Sequence, residues 1–454
     1  MVINMNNMIK GSVIALDIKG TGINGEGIGY YNKLTIFVKG AIQKEKVYVT
    51  IDEVHDNYCI GSIKSIIEKS NRRVEPFCKY YKECGACNMQ HIQMNEQLKI
   101  KRQILIDSLK RYTHKLDINK TKIEMTVASP SIAYRNKSQM PFRDTNFGLA
   151  LGLYQDGTNK FVYVDDCAIQ NKLVNKINKK VLSILIKHKQ STEKTGGVLK
   201  HLVVRALEES NEAQVTFVLC KFLPIYNDIA NEALNTIEEV KSVAYTIPDK
   251  NSVSLFGNKT EILAGNNYIK DNMLGLKVSL SPKSFYQLNK KASELVYKEI
   301  IENYVTEEDV VFDGYSGIGV LGMLLAKKAK HVYSVDFNSD SIKNARIIAR
   351  ENSINNITFY SDRIESRFPK LIEEGIKPDI IVVDPPRSGL DDKVIESIIK
   401  AKAKKVYYIS CNASTLAKNL EKLLDVYDVE YFRPYDFFTE TALVETVCCL
   451  VKQK

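Results

Sequence analysis

The C-terminal third of the chain alternates short apolar runs with longer amphipathic segments, and this alternation constrains the fold more than any other feature. The apolar runs are VVFDGYSG, HVYSVDF, ITFYSD, DIIVVDPPR and KVYYISC, and helical patterns lie between them. Strands that alternate with helices form a largely parallel sheet with helices on both faces. Residues 281–454 are therefore predicted to be a doubly wound, Rossmann-like α/β domain.

The rest of the chain is long enough for two further domains, because 454 residues exceed what one hydrophobic core supports. Residues 1–69 contain short alternating strands with glycine-rich turns such as TGINGEGIG, which predicts an OB-like barrel of about five strands. Its lysines and interleaved Tyr30, Tyr31 and Phe37 suit RNA binding, although a plain β-module with core aromatics fits equally well. Residues 70–280 are predicted to be a mixed α/β domain, with a helix from Asn95 to about Lys115.

Composition limits the class of protein. Hydrophobic content of 44% and charged content of 26% are ordinary for globular proteins. No apolar run is long enough to span a membrane, and the N-terminus lacks the pattern of a signal peptide, so we expect a cytoplasmic protein without a membrane partner. The net charge of +10 favours polyanionic partners, but basic and acidic residues are mixed along the chain. We expect a monomer.

A glycine-rich turn follows the first strand of the α/β domain. Gly317, Gly319 and Gly322 match G-x-G-x-x-G, and Asp336 ends the next strand nineteen residues after Gly317. Glycines at a helix N-terminus let the backbone approach a ligand, and a carboxylate at that strand end can bind both hydroxyls of a ribose. These features fit NAD as well as S-adenosylmethionine, so a dinucleotide oxidoreductase is an alternative.

Acidic residues distinguish the two cofactors. Asp313 opens the turn where a dinucleotide site has its first glycine, and a carboxylate there suits an ammonium group and not a pyrophosphate. Asp384 begins a DPPR loop at the carboxyl end of the sheet, where ligands of open α/β folds bind. Together with Asp336 and Asp362, these carboxylates end successive strands, which favours an S-adenosylmethionine site.

The next strand carries a nucleophile. Arg387 follows the two prolines where amino-group methyltransferases have a base-stacking aromatic residue, so an exocyclic amine is disfavoured as the target. Cys411 ends KVYYISC and can add to carbon 6 of uracil, which makes carbon 5 nucleophilic. A general base must then remove the proton on carbon 5, and Glu445 in LVETVCCLV is the candidate. An enzyme that methylates carbon 5 of cytosine in RNA would carry a second cysteine in the loop after the fourth strand. Residues 379–392 contain none, so uracil is preferred to cytosine as the target.

A separate cysteine cluster lies in the predicted central domain. Cys78, Cys84 and Cys87 form C-x5-C-x2-C, and Cys167 follows a strand far downstream. Three thiols within ten residues beside a glycine rarely pack as core, and four thiolates suit an iron–sulfur cluster or a structural zinc. The C-x3-C-x2-C spacing of radical enzymes is absent.

These motifs together resemble the RNA uracil-5-methyltransferase family, in particular its 23S rRNA enzymes with an N-terminal TRAM domain. The resemblance covers the glycine-rich barrel, the cysteine cluster, SFYQLN, DGYSGIG, DPPRSGL, SCNAST and the final VET. It implies methylation of uridine in 23S rRNA, with Cys411 as nucleophile and Glu445 as base. It also implies a 4Fe-4S cluster on the four cysteines, and contacts to S-adenosylmethionine from Gln287, Tyr315, Asp336 and Asp384, which join Asp313, Gly317 and Asp362 as predicted cofactor residues.

The sequence departs from the family's pattern at three positions. Asp336 stands where glutamate is usual, and Thr439 and Leu443 stand where proline and histidine are usual. Two alternative functions remain within the nucleic-acid class: the same chemistry on transfer RNA, and a non-catalytic RNA-binding iron–sulfur protein. The N-terminal barrel argues against the first, because bacterial tRNA enzymes of this family lack that module, and the intact Cys411, Asp384 and Gln287 argue against the second.

Overall fold

The structure, a computed structural model, describes residues 8–250, 252, 254–302 and 305–454. The first seven residues of the predicted barrel segment, which include part of the N-terminus judged for a signal peptide, lie outside the described residues. Within the described part of the chain, no helix is both long and apolar enough to cross a membrane.

The N-terminal segment folds into a closed five-stranded barrel, as predicted. Apolar residues alternate along its strands and point inward to form a separate small core, which includes Leu16, Val38 and Val49. The strands pair in the order β1-β2-β3-β5-β4. Their bounds are β1 Val13–Thr21, β2 Gly27–Tyr31, β3 Leu34–Lys39, β4 Lys46–Val54 and β5 Tyr58–Glu68.

The central region contains a seven-stranded mixed sheet in the order β12-β11-β10-β9-β6-β7-β8. Helices α2 and α3 cover one face of this sheet and share a core with it. The predicted strands near 146–164, 201–207 and 214–219 are present, and β6, β11 and β12 extend the sheet. The elements are α1 Met94–Tyr112, β6 Lys137–Thr145, β7 Gly148–Tyr154, β8 Phe161–Tyr163, α2 Lys172–Lys187, β9 Leu199–Leu207, β10 Glu212–Leu219, α3 Ile225–Thr236, β11 Val240–Ile247 and β12 Lys259–Gly265.

The C-terminal region forms the second seven-stranded sheet, in the order β17-β16-β15-β18-β19-β21-β20. Its first five strands are parallel, and β21 runs antiparallel to both neighbours. The elements are β13 Ile269–Met273, β14 Leu276–Leu280, α4 Lys290–Glu302, β15 Val310–Gly314, α5 Val320–Ala326, β16 His331–Asp336, α6 Ser339–Glu351, β17 Ile357–Ser361, α7 Ile364–Glu373, β18 Ile380–Val383, α8 Asp392–Ala401, β19 Lys405–Ser410, α9 Ala413–Leu423, β20 Tyr427–Tyr435 and β21 Glu445–Lys452.

Strand order reverses between β15 and β18, because β15 pairs with β16 on one side and β18 on the other. Helices α4, α5 and α6 share cores with one face of the sheet, and α7, α8 and α9 with the opposite face. Ligands of open α/β sheets bind outside the carboxyl ends of strands at such a switch point. The prediction of a doubly wound sheet is thus confirmed. Only five of its seven strands are parallel, because the antiparallel β21 and β20 follow β19 at one edge.

The domain boundaries at residues 70 and 281 stay predictions, and packing crosses them. Leu105 and Leu109 of α1 join the core beneath α8 and α9, and the β13–β14 hairpin packs against α5 and α6. Lys101 of α1 also forms a fully buried ion pair with Asp436. Helix α1 and the hairpin therefore belong by packing to the C-terminal sheet.

Candidate active site

The predicted nucleophile and base face each other across two adjacent strands. In the antiparallel pair β19–β21, Ser410 is opposite Thr446, so Cys411 and Glu445 come next in register. Cys411 is half-buried, whereas Glu445 is only 7% exposed. The two side chains are close enough that the charge of Glu445 raises the pKa of Cys411. The sheet therefore brings a thiol and a carboxyl group together from positions 34 residues apart in sequence.

The DPPR loop closes one side of this pair. Asp384 follows β18, and its backbone N–H donates to the carbonyl of Gly314 on β15, 3.3 Å away. The carbonyl of Arg387 accepts from Asn412 Nδ2 at 3.3 Å and from Thr415 Oγ1 at 3.2 Å. The same Asn412 caps α9 through its side chain. The loop is thus fastened to the segment that carries Cys411.

Burial and like charges favour the protonated forms in this cluster. Burial raises the pKa of Asp384 to about 7, with a further contribution from the charge of Asp313. Burial, and then the charge of Asp384, raise the pKa of Glu445 well above its usual value, while Arg387 opposes the shift. Burial, followed by the charges of Glu445 and Asp384, raises the pKa of Cys411 to about 11, again opposed by Arg387. Arg387 is therefore the cation that favours the ionised cysteine.

A pocket of about 510 Å³ opens beside this cluster at the switch point between β15 and β18. Five predicted cofactor residues line it: Gln287, Asp313, Tyr315, Gly317 and Asp384. Its wall also includes apolar side chains of α5, which gives it the mixed character of a small-molecule site. The structure thus brings the predicted cofactor residues and the Cys411–Glu445 pair to the same edge of the sheet.

The turn between β15 and α5 takes an unusual backbone path. Tyr315 has φ +63° and Gly317 has φ +56°, in the left-handed region that favours glycine. A Cβ at Gly322 would approach Asp313 Oδ2 within 2.4 Å, so a glycine there lets α5 pack on the carboxylate. Asp313 also accepts a hydrogen bond from Ser334 Oγ at 2.7 Å. Asp313 therefore anchors the turn as well as lining the pocket.

Asp336 and Asp362 do not line the pocket, but they lie next to its turn. Asp336 Oδ2 accepts from the backbone N–H of Gly317 at 2.9 Å, and its Oδ1 accepts from that of Asn338 at 2.8 Å. The backbone N–H of Asp362 donates to the carbonyl of Asp336 at 3.1 Å. A carboxylate oxygen can accept two hydrogen bonds, so the oxygens of Asp336 can still accept from ribose hydroxyls.

Several residues of the site were not identified from the sequence. Tyr297 of α4 lines the pocket, and burial raises its pKa, with further contributions from the charges of Asp384, Asp313 and Glu445. Phe285 lies at the pocket rim and is 63% exposed. A tyrosine on an amphipathic helix has the same pattern as a core residue, so no local signal distinguishes Tyr297.

A contact between two regions of the chain was also not identified. Asn136 donates to the backbone carbonyl of Gln287 at 2.9 Å, which ties the central region to this pocket.

The four clustered cysteines meet in a second pocket, of about 320 Å³. Cys78, Cys84, Cys87 and Cys167 all line it, and Asn175 holds the backbone of Cys167 by hydrogen bonds to both its N–H and its carbonyl. Burial, and then the charges of the other three thiolates, raise the pKa of Cys87 to about 12. Among the described residues, however, no group of three or more His, Cys, Asp or Glu side chains is placed to hold a metal ion.

Comparison with known proteins gives matches along the whole chain. The model of the tRNA (uracil-5-)-methyltransferase family matches residues 93–453, and that of the TRAM domain matches residues 9–64. A protein of Listeria innocua described as an uncharacterized RNA methyltransferase is 36% identical over 457 residues, covering 99% of this chain and all of the relative. A protein of Streptococcus agalactiae with the same description is 34% identical, with coverage of 99% and 100%.

One solved structure has the same overall fold. The Pyrococcus abyssi tRNA (uracil-54, C5)-methyltransferase, in complex with S-adenosyl-L-homocysteine, superposes with a TM-score of 0.76. The match covers 96% of this chain and 99% of that protein, at 23% identity. At this identity the likeness describes the fold and not the substrate.

Proposed function

The chain belongs to the tRNA (uracil-5-)-methyltransferase family and contains a TRAM domain, and on this premise we propose that it transfers the methyl group of S-adenosylmethionine to carbon 5 of a uridine in RNA. The observation that carries the proposal is the placement of Cys411, directly after β19, beside Glu445 of β21 at the sheet edge that also holds the cofactor pocket. A thiol and a carboxyl group are the two groups that methylation at this carbon requires.

Cys411 performs the first step of the proposed mechanism. Its thiolate adds to carbon 6 of the ring, and the electron pair of the 5,6 double bond moves towards the carbonyl at carbon 4. Carbon 5 becomes nucleophilic as a result. S-adenosylmethionine, when bound, supplies the electrophilic methyl group. Arg387 favours the thiolate electrostatically, since it lowers the pKa of Cys411 against the carboxylates around it.

Glu445 performs the last step. It accepts the proton from carbon 5, and the electron pair of that bond re-forms the 5,6 double bond and expels Cys411. Burial and Asp384 raise the pKa of Glu445, which makes its carboxylate a stronger base than an exposed one. The proposed mechanism requires the two side chains to lie close together, because they act on adjacent carbons of one ring.

The pocket at the switch point is the proposed binding site of S-adenosylmethionine. Asp313, Gln287 and Asp384 supply acceptors for the ammonium end, and the left-handed turn at Tyr315 and Gly317 leaves open space for the ligand. The carboxylates of Asp336 and Asp362 stand beside this turn, where they are proposed to bind the ribose and the base. A dinucleotide would bring a pyrophosphate against the carboxylate of Asp313 in the turn, which disfavours the oxidoreductase alternative.

The proposed target is 23S rRNA, and tRNA is the second candidate. The TRAM barrel supports a large folded RNA, since it adds a further module outside the catalytic region. The archaeal enzyme that acts on tRNA has the same fold over 96% of this chain, so the barrel alone does not exclude tRNA. Mapping 5-methyluridine in both RNAs from a strain that lacks the gene, before and after treatment with the protein, distinguishes the two targets. No new 5-methyluridine in either would contradict the proposal.

Cys78, Cys84, Cys87 and Cys167 are proposed to bind a 4Fe-4S cluster. Four thiols around one pocket form the donor set of such a cluster, which is wider than a single ion and holds its cysteines farther apart. That width is compatible with the finding that no group in the described residues is placed for one metal ion. The four cysteines share no residue with the lining of the pocket at the switch point. The proposed role of the cluster is therefore to stabilise the central region. The monomeric state and the cytoplasmic location stay predictions.

A further inference from the structure

The central sheet has a second face that helices α2 and α3 do not cover. Arg143 on β6 is opposite Ala150 on β7, and Tyr154 on β7 is opposite Phe161 on β8. Side chains alternate along a strand, so residues opposite each other and two apart lie on one face. Arg143, Tyr154, Phe161 and Tyr163 therefore share this face, which we call the aromatic face.

The rings of the aromatic face are accessible. Tyr154 is 39% exposed and Tyr163 is 51% exposed. Strand β7 carries a glycine on this face, and a Cβ at Gly152 would come within 2.5 Å of the Phe161 ring, so the glycine lets that ring lie across the strand. The guanidinium of Arg143 lies 5.8 Å from the centre of the Phe161 ring. The result is an exposed group of aromatic rings, with Tyr154 and Phe161 edge to face at 75° and a cation beside them.

A basic cleft adjoins the aromatic face. Arg143 and Tyr154 line it together with Lys194, Lys200 and His201, and its volume is about 830 Å³. Its one acidic side chain, Glu193, lies 3.7 Å from the ammonium of Lys200. The cleft thus offers positive charge to a ligand.

The loop that presents Lys194 is held in place before any ligand binds. The carboxylate of Asp144 accepts from the Thr192 backbone N–H at 3.0 Å, from Thr192 Oγ1 at 2.5 Å and from Thr195 Oγ1 at 2.6 Å. Three hydrogen bonds donated to one carboxylate fix the loop against β6. A preorganised loop reduces the entropy lost on binding.

We propose that the aromatic face and the adjoining cleft bind a single-stranded segment of the RNA substrate, with bases on Tyr154 and Tyr163 and phosphates near Arg143, Lys194 and Lys200. Aromatic rings beside a positively charged groove recognise single strands, because every base has a face that can stack. The cores of protein–protein interfaces are depleted of lysine, so the lysines of this cleft favour a polyanion over a protein partner. The inference rests on the proposed function, from which it takes RNA as the substrate.

This site is distinct from the catalytic site and continuous with the barrel. Strand β6 begins beside Gln287, which Asn136 contacts, and Arg143 is seven residues farther on, which is roughly 24 Å along a strand. Lys39 of the barrel lies 3.0 Å from Asp156 in the turn between β7 and β8. The bound segment would therefore lie some distance along the RNA from the target uridine, next to the TRAM domain.

The test measures binding of a fluorescein-labelled twelve-nucleotide oligouridylate by fluorescence anisotropy. Replacing both Tyr154→Ala and Tyr163→Ala should weaken binding at least roughly thirtyfold, since the loss of each stacked base costs about fivefold or more in affinity. The matched pair Tyr154→Phe and Tyr163→Phe keeps the rings and should bind like the wild type. If the alanine pair binds as tightly as the phenylalanine pair, or the wild type does not bind the oligomer, the proposal is wrong.

The salt dependence of the same binding tests the cleft independently. The pair Lys194→Gln and Lys200→Gln should reduce the slope of log Kd against log salt by about 1.4, at roughly 0.7 for each phosphate contact with a single strand. The control pair Lys180→Gln and Lys187→Gln removes equal charge from α2, on the opposite side of the sheet, and should leave the slope unchanged. Equal slopes in both pairs would overturn the assignment. None of these measurements needs methyl transfer, so loss of the proposed catalytic function would leave them interpretable.

Discussion

Cys411 and Glu445 face each other across β19 and β21, one residue beyond the paired Ser410 and Thr446. The relationship depends on β21, which runs antiparallel to its two neighbours in a sheet whose first five strands are parallel. An antiparallel strand beside β19 begins where β19 ends, so its first residue reaches the carboxyl edge of the sheet. A parallel strand would carry Glu445 at the far edge, away from the cofactor pocket.

The reactivity of Cys411 should rise steeply with pH in the free protein. Its pKa is raised to about 11, so the thiolate fraction below that pH increases about tenfold for each pH unit. Arg387→Gln removes the cation that lowers this pKa, and alkylation of Cys411 by iodoacetamide at fixed pH should become slower. Arg350→Gln, which removes an exposed charge on α6, is the control and should react like the wild type. A faster reaction in Arg387→Gln would contradict the electrostatic assignment.

Tyr297 should contribute to cofactor binding through its hydroxyl group. Tyr297→Phe keeps the ring that lines the pocket and removes one polar contact, so affinity for S-adenosylhomocysteine should fall about fivefold. Isothermal titration calorimetry measures this change. The control is Tyr427→Phe, because the hydroxyl of Tyr427 donates to the backbone carbonyl of Ile398, away from the pocket. Equal affinities in the two variants would remove Tyr297 from the site.

The strand ends could be predicted from the sequence because their signals are local. An apolar run followed by an acidic or thiol side chain identifies Asp384 and Cys411 wherever the strand lies in the sheet. The need for a base predicts Glu445, but its position beside Cys411 depends on strand order, which the alternating pattern does not specify. The barrel was equally predictable, since its alternation and turns are local.

Long-range packing could not be predicted. Helix α1 follows the cysteine cluster in sequence, yet Leu105 packs beneath α8 and α9, because its apolar stripe carries no information about its partner. Cysteines in strand-like runs illustrate the same limit, because such runs predict small buried side chains at Cys59, Cys220, Cys448 and Cys449 alike. Cys59, Cys448 and Cys449 are buried, but Cys220 is only half-buried because it lies just beyond β10.

Breaking the buried ion pair between Lys101 and Asp436 should destabilise the protein strongly. Both side chains are fully buried, and Lys101 also donates to the carbonyl of Phe438 at 3.0 Å. Lys101→Met leaves a buried carboxyl group without its cation, which should cost about 3–5 kcal/mol in the free energy of unfolding measured with urea. Adding Asp436→Leu should recover most of the loss. A single variant within about 1 kcal/mol of the wild type would contradict this account.

Protein purified without oxygen should be brown and contain about four irons, as four cysteine ligands around one pocket imply. Cys84→Ser should lower the iron content and the unfolding temperature, while Cys220→Ser, a half-buried thiol outside the pocket, should change neither. Metal analysis and thermal unfolding measure both effects. If the protein is colourless and contains one zinc, the four cysteines form a structural zinc site and the assignment of an iron–sulfur cluster is wrong.

The most direct test of the central claim is whether Glu445→Gln traps the covalent intermediate. Without a base, addition by Cys411 and methyl transfer still occur, but the proton on carbon 5 remains and the cysteine cannot leave. With labelled substrate RNA and S-adenosylmethionine, a denaturing gel should show a slow, protease-sensitive band for Glu445→Gln. The band should be absent when Cys411→Ala is added. Turnover of Glu445→Gln at the wild-type rate, without that band, would contradict the assignment of Glu445 as the base.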